Sequence, residues 1–351
     1  MYKKSNVFPL LLSLAIASGF ASGLVHAAEE TAPNKRPVKV IADSRIEVGA
    51  PSGNAALPLY VSRDWTVPQP GVTRAVLVFH GRLRDADVYW RSAQKALKAS
   101  GDTEHTMMIV PQFLADADIP AHQLPENVLH WEWESWMGGE SANGPASLSS
   151  FDAIDAILMQ LSDRKRFPNL KDVVIAGHSG GAQVVQRYAV VGKGEEVLSK
   201  LGMHVRYVVA NPSSYLYFSE DRPQPAAASC PQFNQWKYGW PGAPAYAKLK
   251  TPAAYEDAYA ARDVVYLLGT ADTNPKHPAL DKSCSAETQG PYRFARGSSY
   301  FAYMQQRHPK MVAQRLLKVE GVGHDGDAMF TSACGVAVLF DKGTCEQAGG
   351  Q

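Results

Sequence analysis

The sequence predicts an α/β fold built on a doubly wound, mostly parallel sheet, and three observations predict it. From about residue 38 onward, short apolar runs alternate with stretches of helical spacing, and no repeat of fixed period interrupts the alternation. The runs Arg74 to Phe79 and Val173 to Ala176 are nearly continuous in apolar residues, as expected of strands buried on both faces. The pentapeptide Gly177-His178-Ser179-Gly180-Gly181 then stands between one such run and a helical segment, a strand-turn-helix context. A chain of 351 residues that is 45% hydrophobic and 20% charged can bury a large core.

The chain starts with a segment of another kind. Lys3 and Lys4 precede an apolar stretch from Val7 to about Phe20 and then Val25-His26-Ala27, the pattern of a secretory signal peptide over residues 1–27. Ser13 and Ser18 interrupt the apolar stretch, which is short for a membrane span of about 20 residues. No later stretch is long enough to cross a membrane. The expectation is therefore an exported protein, periplasmic or secreted, with a mobile leader over 28–37 and one domain over 38–351. Loss of residues 1–27 removes two lysines and no acids from 35 Lys+Arg and 34 Asp+Glu. The balance left is about −1, with no long-range field to draw in nucleic acid or an acidic polymer.

Export implies oxidising conditions, so Cys230, Cys284, Cys334 and Cys345 are expected to form two disulfides. Of the three possible pairings, Cys230 with Cys284 and Cys334 with Cys345 is favoured: the second closes a short loop near the C-terminus and the first staples an irregular insertion. Neither C-x-x-C nor a His-Cys cluster suggests a metal site, and none is expected.

Taken in order, Val38 to Ile41, Arg45 to Val48, Leu57 to Val61 and Arg74 to Phe79 read as strands. Asp87 to Ser100 has helical spacing through Val88, Trp90, Ala93, Ala96 and Leu97. Thr106 to Val110 is the next strand, closed by Pro111, and a loop with Trp131, Trp133 and Trp136 follows. Ser149 caps a helix running to about Leu161, with an acid three positions on at Asp152. Lys171 to Ala176 feeds the pentapeptide, Ala182 to Val191 is the helix after it, and Arg206 to Ala210 is a strand ending at Asn211-Pro212. Residues 213–262, rich in Pro, Ala and aromatics, read as an insertion over the carboxyl edge of the sheet. Asp263 to Leu268 returns as a strand, Ser298 to Arg307 as a helix and Val312 to Val319 as the last strand, before a terminal helix from Asp325 onward.

Ser179 is the candidate nucleophile. Its neighbouring glycines allow a sharp turn that lifts the hydroxyl above the sheet. A serine hydroxyl needs a base within hydrogen-bond reach and an anion to orient that base. His324, in Gly321-Val322-Gly323-His324-Asp325 after the last strand, is the candidate base. Asp272, just past the strand Asp263 to Leu268, is the candidate acid; Asp263, Asp281 and Asp325 are the alternatives, with Asp325 read as a helix cap. His178 is read as packing or capping beside the serine. For a developing oxyanion, the amide of Gly180 is one candidate donor and that of Arg82 the second, with Gly81 next and His80 holding the loop. Trp136 is expected to line the cleft, although these aromatics could equally pack the core.

The strand followed by His80-Gly81, the pentapeptide around Ser179, Asp272 and His324 together resemble the α/β-hydrolase superfamily, over about residues 38–340. The resemblance implies a Ser-His-Asp triad, an acyl-enzyme and no cofactor. The expected signal peptide and disulfides make the chain similar to secreted esterases, cutinase-like enzymes and polyester depolymerases. His178 stands where several of those groups carry Trp or Tyr before the serine, and the insertion is long, so the subfamily is open. The expected substrate is a small or polymeric carboxylic ester. An amide is the nearest alternative, and a non-catalytic binding module on this scaffold is the alternative of another class.

Overall fold

Strand β3 (Arg74–Phe79) runs between β4 (Thr106–Pro111) and β7 (Asp172–His178), in parallel register with both, and all its side chains are buried. A computed structural model describes residues 1–2, 35–50, 53–226 and 229–346. Beyond residues 1–2, the expected signal peptide lies outside the described residues, as does 28–34 of the expected leader. Among those described, eight strands form one sheet in the order β1-β2-β4-β3-β7-β8-β9-β10. Here β1 is Ser44–Ala50, β2 Gly53–Val61, β8 His204–Ala210, β9 Asp263–Gly269 and β10 Arg315–Val319. Only the β1·β2 and β2·β4 pairs of this sheet are antiparallel.

Alternate residues of the central strands face opposite layers, because a strand has a side-chain period of two. Leu77, Phe79, Ile175 and Tyr207 face the layer containing α3 (Ser150–Leu161) and α4 (Gly180–Val191). Val76, Val78, Val174 and Val208 face α1 (Ala86–Ser100) and the terminal helices α9 (Gly326–Thr331) and α10 (Ala333–Phe340). Burying each such Val, Leu, Ile or Phe contributes about 1.5–3 kcal/mol before entropy is counted. The other strands and α-helices are β5 (Leu114–Ala115), α2 (Asp118–Ala121), β6 (His130–Trp131), α5 (Gly194–Lys200), α6 (Pro252–Ala261), α7 (Cys284–Glu287) and α8 (Arg293–Arg307).

Helix α3 starts where its sequence says. Ser149 Oγ accepts from the Phe151 amide at 3.0 Å while the Ser149 amide donates to Asp152 Oδ2 at 2.9 Å, a reciprocal cap. The segment Val38 to Ile41 is not a strand. Nearby backbone donors go to side chains instead, the Val38 amide to Asp118 Oδ1 and the Ala42 amide to Gln112 Oε1, both at 2.8 Å. The insertion is also shorter than expected. Residues 252–261 form the helix α6, capped by Thr251 with Pro252 in its first turn, and α6 packs on α4 as part of the layered fold. The irregular cover over the carboxyl edge is instead made of 211–251 and a second segment, 270–292. Disulfide Cys230–Cys284 joins the two, and Cys334–Cys345 ties α10 to the chain that follows it. Among the described residues no helix is long and apolar enough to cross a membrane.

Candidate active site

Strand β7 ends at His178, and the turn into α4 places Ser179 at φ 58° and ψ −116°, a conformation unusual for a residue with a side chain. The turn can pack this tightly because Gly181 lacks a Cβ. One built there would stand 2.2 Å from the Phe79 carbonyl oxygen. The Ser179 amide donates to the Ala210 carbonyl at 3.0 Å, which ties the turn to β8.

Three side chains from distant parts of the chain meet at this turn. His324 Nε2 lies 2.9 Å from Ser179 Oγ, and His324 Nδ1 lies 2.8 Å from Asp272 Oδ2. Asp272 follows β9 and His324 follows β10, so the carboxyl edge of the sheet carries all three. Asn211, at the end of β8, joins their supports: its Oδ1 accepts from the Gly269 amide at 2.9 Å and its Nδ2 donates to the Gly323 carbonyl at 3.3 Å. The Ala271 amide in turn donates to the Val322 carbonyl at 3.0 Å. The remaining candidate acids stand elsewhere. Asp263 pairs with Arg206 and Arg315, Asp281 accepts from Tyr238, and Asp325 caps α9 through the Ala328 amide.

Burial pushes the Asp272 carboxyl up from its ordinary value, opposed first by the Arg293 guanidinium, whose Nη1 lies 3.5 Å from Asp272 Oδ1. Burial, reinforced by Arg293, His277 and Arg82, pushes the His324 imidazole down to about 2. At neutral pH the ring is therefore uncharged and able to accept a proton. His178 is likewise pushed well below its ordinary value, chiefly by burial, and its ring centroid stands 4.6 Å from that of His324. It packs behind the site, with Nδ1 2.9 Å from the Tyr89 hydroxyl.

The loop after β3 crosses in front of the first turn of α4. A Cβ on Gly180 would stand 2.9 Å from the Arg82 backbone nitrogen, so the amides of these residues are neighbours. Neither donates to a protein acceptor among the described residues. His80 holds this loop: its Nδ1 is 2.8 Å from the Gly81 carbonyl, and its Nε2 accepts from the Phe113 amide at 2.9 Å.

Trp136 does not line the cleft. It is fully buried, stacked on Phe113 at 5.1 Å and set edge-on to His80 at 4.8 Å, with its indole donating to the Trp133 carbonyl. A short 3₁₀ turn, Ser135–Gly138, directs it under the loop, and Met137 rather than Trp136 reaches the cavity beside Ser179. Two cavities flank the serine. One of about 250 Å³ is lined mainly by polar groups, among them Arg82, Glu134, Ser213, Lys237 and Asp281. The other, about 310 Å³, is lined by Val88, Tyr89, His277 and His324 among others. A larger cavity of about 700 Å³, near Val190 and Arg262, holds none of these groups. Among the described residues no cluster of three or more His, Cys, Asp or Glu is placed to share a metal ion.

Sequence reasoning missed Arg293, Asn211, Tyr89 and Lys237. Asn211 had a signal, an Asn-Pro pair at a strand's carboxyl end, whereas Tyr89 meets His178 across 89 positions, Arg293 meets Ser213 across 80 and Lys237 meets Arg187 across 50, contacts that no local pattern encodes.

No protein-family model matches the sequence, and no curated protein matches it. Among solved structures, the chain is similar to poly(aspartic acid) hydrolase-1 from Sphingomonas sp. KT-1, with a TM-score of 0.58 and 21% identity over 87% of this chain and 99% of that one. It is also similar to LpqC, a poly(3-hydroxybutyrate) depolymerase from Bordetella parapertussis, with a TM-score of 0.62 and 21% identity over 88% of this chain and 93% of that one.

Proposed function

We propose that this chain, whose fold is that of the α/β-hydrolases, is an exported serine hydrolase that cleaves carboxylic esters through an acyl-enzyme. The observation that carries this reading is the continuous hydrogen-bonded line from Ser179 Oγ through His324 to Asp272. In the first step Ser179 Oγ forms a bond to the carbonyl carbon and its proton passes to His324 Nε2. Asp272 holds the ring by Nδ1 and offsets the positive charge that the ring acquires. The carbonyl oxygen becomes an oxyanion, for which the amides of Gly180 and Arg82 are the donors. The carbon–oxygen bond to the leaving alcohol then breaks, and His324 returns the proton to that oxygen. A water then forms a bond to the acyl carbon as its proton passes to His324 Nε2; the bond from that carbon to Ser179 Oγ breaks, His324 returns the proton to Oγ, and the acid leaves. The two disulfides are compatible with an oxidising compartment.

Amide cleavage is the second reading. One similar structure is a poly(aspartic acid) hydrolase and another a poly(3-hydroxybutyrate) depolymerase; the first polymer is joined by amide bonds and the second by ester bonds. The apparatus would serve either bond if His324 protonates the leaving atom.

The test is hydrolysis of p-nitrophenyl acetate and butyrate by the wild type and Ser179→Ala, with fluorophosphonate labelling of both. The wild type is expected to turn over and label, and Ser179→Ala to lose at least about 10³-fold in kcat. Equal turnover without labelling would remove the reading.

A further inference from the structure

The polar cavity beside Ser179 carries a charge that the proposed chemistry does not use. Lys237 lines it, and the Lys237 ammonium forms no hydrogen bond or ion pair among the described residues. The carboxylates on the same wall make their hydrogen bonds and ion pair elsewhere, although Asp281 still acts on Lys237 through space. Glu134 lies 3.4 Å from Arg82 Nη1, and Asp281 accepts from the Tyr238 hydroxyl at 2.7 Å and the Ser283 amide at 3.0 Å. Lys282, the other lysine of the wall, pairs with Glu287 at 3.0 Å.

Beneath this wall lie three fully buried arginines, Arg187, Arg293 and Arg296. Their donors go mostly to neutral acceptors: Arg187 to the Gln183 and Lys237 carbonyls and Ser214 Oγ, and Arg296 to the Gly290, Ser213 and Asp281 carbonyls. Only Arg293 has a close carboxylate, Asp272, which is committed to His324. Hydrogen bonds to carbonyls satisfy a guanidinium without cancelling its charge, so the cavity floor is electropositive in a region of low dielectric. Burial also pushes the Lys237 ammonium below its ordinary value, a cost that a bound anion would offset.

Position decides which part of a substrate meets this field. His324 lines the opposite cavity and must stand beside the leaving atom to protonate it. The polar cavity, which Gly180 lines and His324 does not, is left for the acyl group.

Resting on the acyl-enzyme reading above, we propose that this cavity is an acyl subsite for a second carboxylate, with Lys237 as the residue that selects it. The preferred substrates are then esters of dicarboxylic acids, or of acids bearing a comparable anionic arm.

The test compares 4-nitrophenyl hydrogen adipate with 4-nitrophenyl methyl adipate, which differ in one negative charge at the acyl end. The wild type should favour the anionic ester by at least about tenfold in kcat/KM. The ratio should collapse toward one in Lys237→Met and survive in Lys237→Arg. A wild-type ratio near one, or an unchanged ratio in Lys237→Met, overturns the proposal while leaving ester hydrolysis standing. Binding supplies a readout that needs no turnover: NMR titration of the Ser179→Ala protein with adipate and monomethyl adipate. Adipate is expected to bind at least about tenfold tighter, with the difference lost in Ser179→Ala/Lys237→Met. Equal affinities for the two acids would refute it even if no ester is cleaved.

Discussion

Strand β7 buries Val173 to Ala176 between β3 and β8, where every backbone partner is another strand, whereas the cover above the same sheet, 211–251 and 270–292, satisfies much of its backbone through side chains. Gln289 exchanges two hydrogen bonds with the Tyr215 backbone, both at 2.8 Å, and Gln186 Oε1 accepts from the Leu216 amide at 3.0 Å. The buried arginines gather the carbonyls of 213, 237, 279, 281 and 290. Apolar area holds the sheet. Directional polar bonds hold the cover, and each donor there is a single point of failure.

Substitutions can break or sharpen this contrast. The largest effect is expected at Arg296→Met, which keeps an apolar stem of similar reach but takes this donor from the buried Gly290 and Ser213 carbonyls and the half-buried Asp281 carbonyl. At about 1–3 kcal/mol for each of the two buried groups, a loss of about 2–6 kcal/mol is expected in denaturant unfolding. A loss below about 1 kcal/mol would show that the arginine is dispensable and the contrast false. Removing Cys230–Cys284 with a pair of serines should cost about 2–4 kcal/mol, more than removing Cys334–Cys345, because the spans closed are 54 and 11 residues. Melting temperatures of the two double variants check the order. In the sheet, Ile175→Val should cost only about 1 kcal/mol, since it deletes one methylene and no polar partner.

Much of the sheet was legible in the sequence because buried strands write long apolar runs. Arg74 to Phe79, Val173 to Ala176 and Asp263 to Leu268 all fall inside strands, and Ser179, Asp272 and His324 follow strand ends in the order expected. The cover was not legible, since a bond such as that from Arg296 to the Ser213 carbonyl spans 83 positions and leaves no periodic trace. Trp136 misled for a related reason. A loop tryptophan before two glycines reads the same whether it faces a cleft or packs on His80, and only the contact with His80 decides. Within 213–262, the Thr251-Pro252 cap marked a helix start that the aromatic composition obscured.

The smallest predicted effect reads out the cover's reach into the site. Because burial with Arg293, His277 and Arg82 lowers the His324 pKa to about 2, the acid limb of kcat/KM should lie below the ordinary histidine value of 6.5. Activity is present above that limb, where the ring is neutral, and lost as pH falls and the ring protonates. The same depression means the unfolded chain binds the proton first, so this histidine lowers stability as pH falls from about 6.5 toward the folded value. A kinetic limb at or above pH 6.5 would show that burial and these neighbours do not lower the ring's pKa.

The backbone at Ser179, with φ at 58°, would suit glycine better than any residue with a side chain. Relief of a conformation that costs about 1–3 kcal/mol, offset in part by the wider freedom of glycine when unfolded, should make a Ser179→Gly protein melt higher than its parent. Heat-shock selection applied without a turnover screen would therefore enrich dead variants at this codon, so any directed-evolution campaign on this scaffold needs both filters at once.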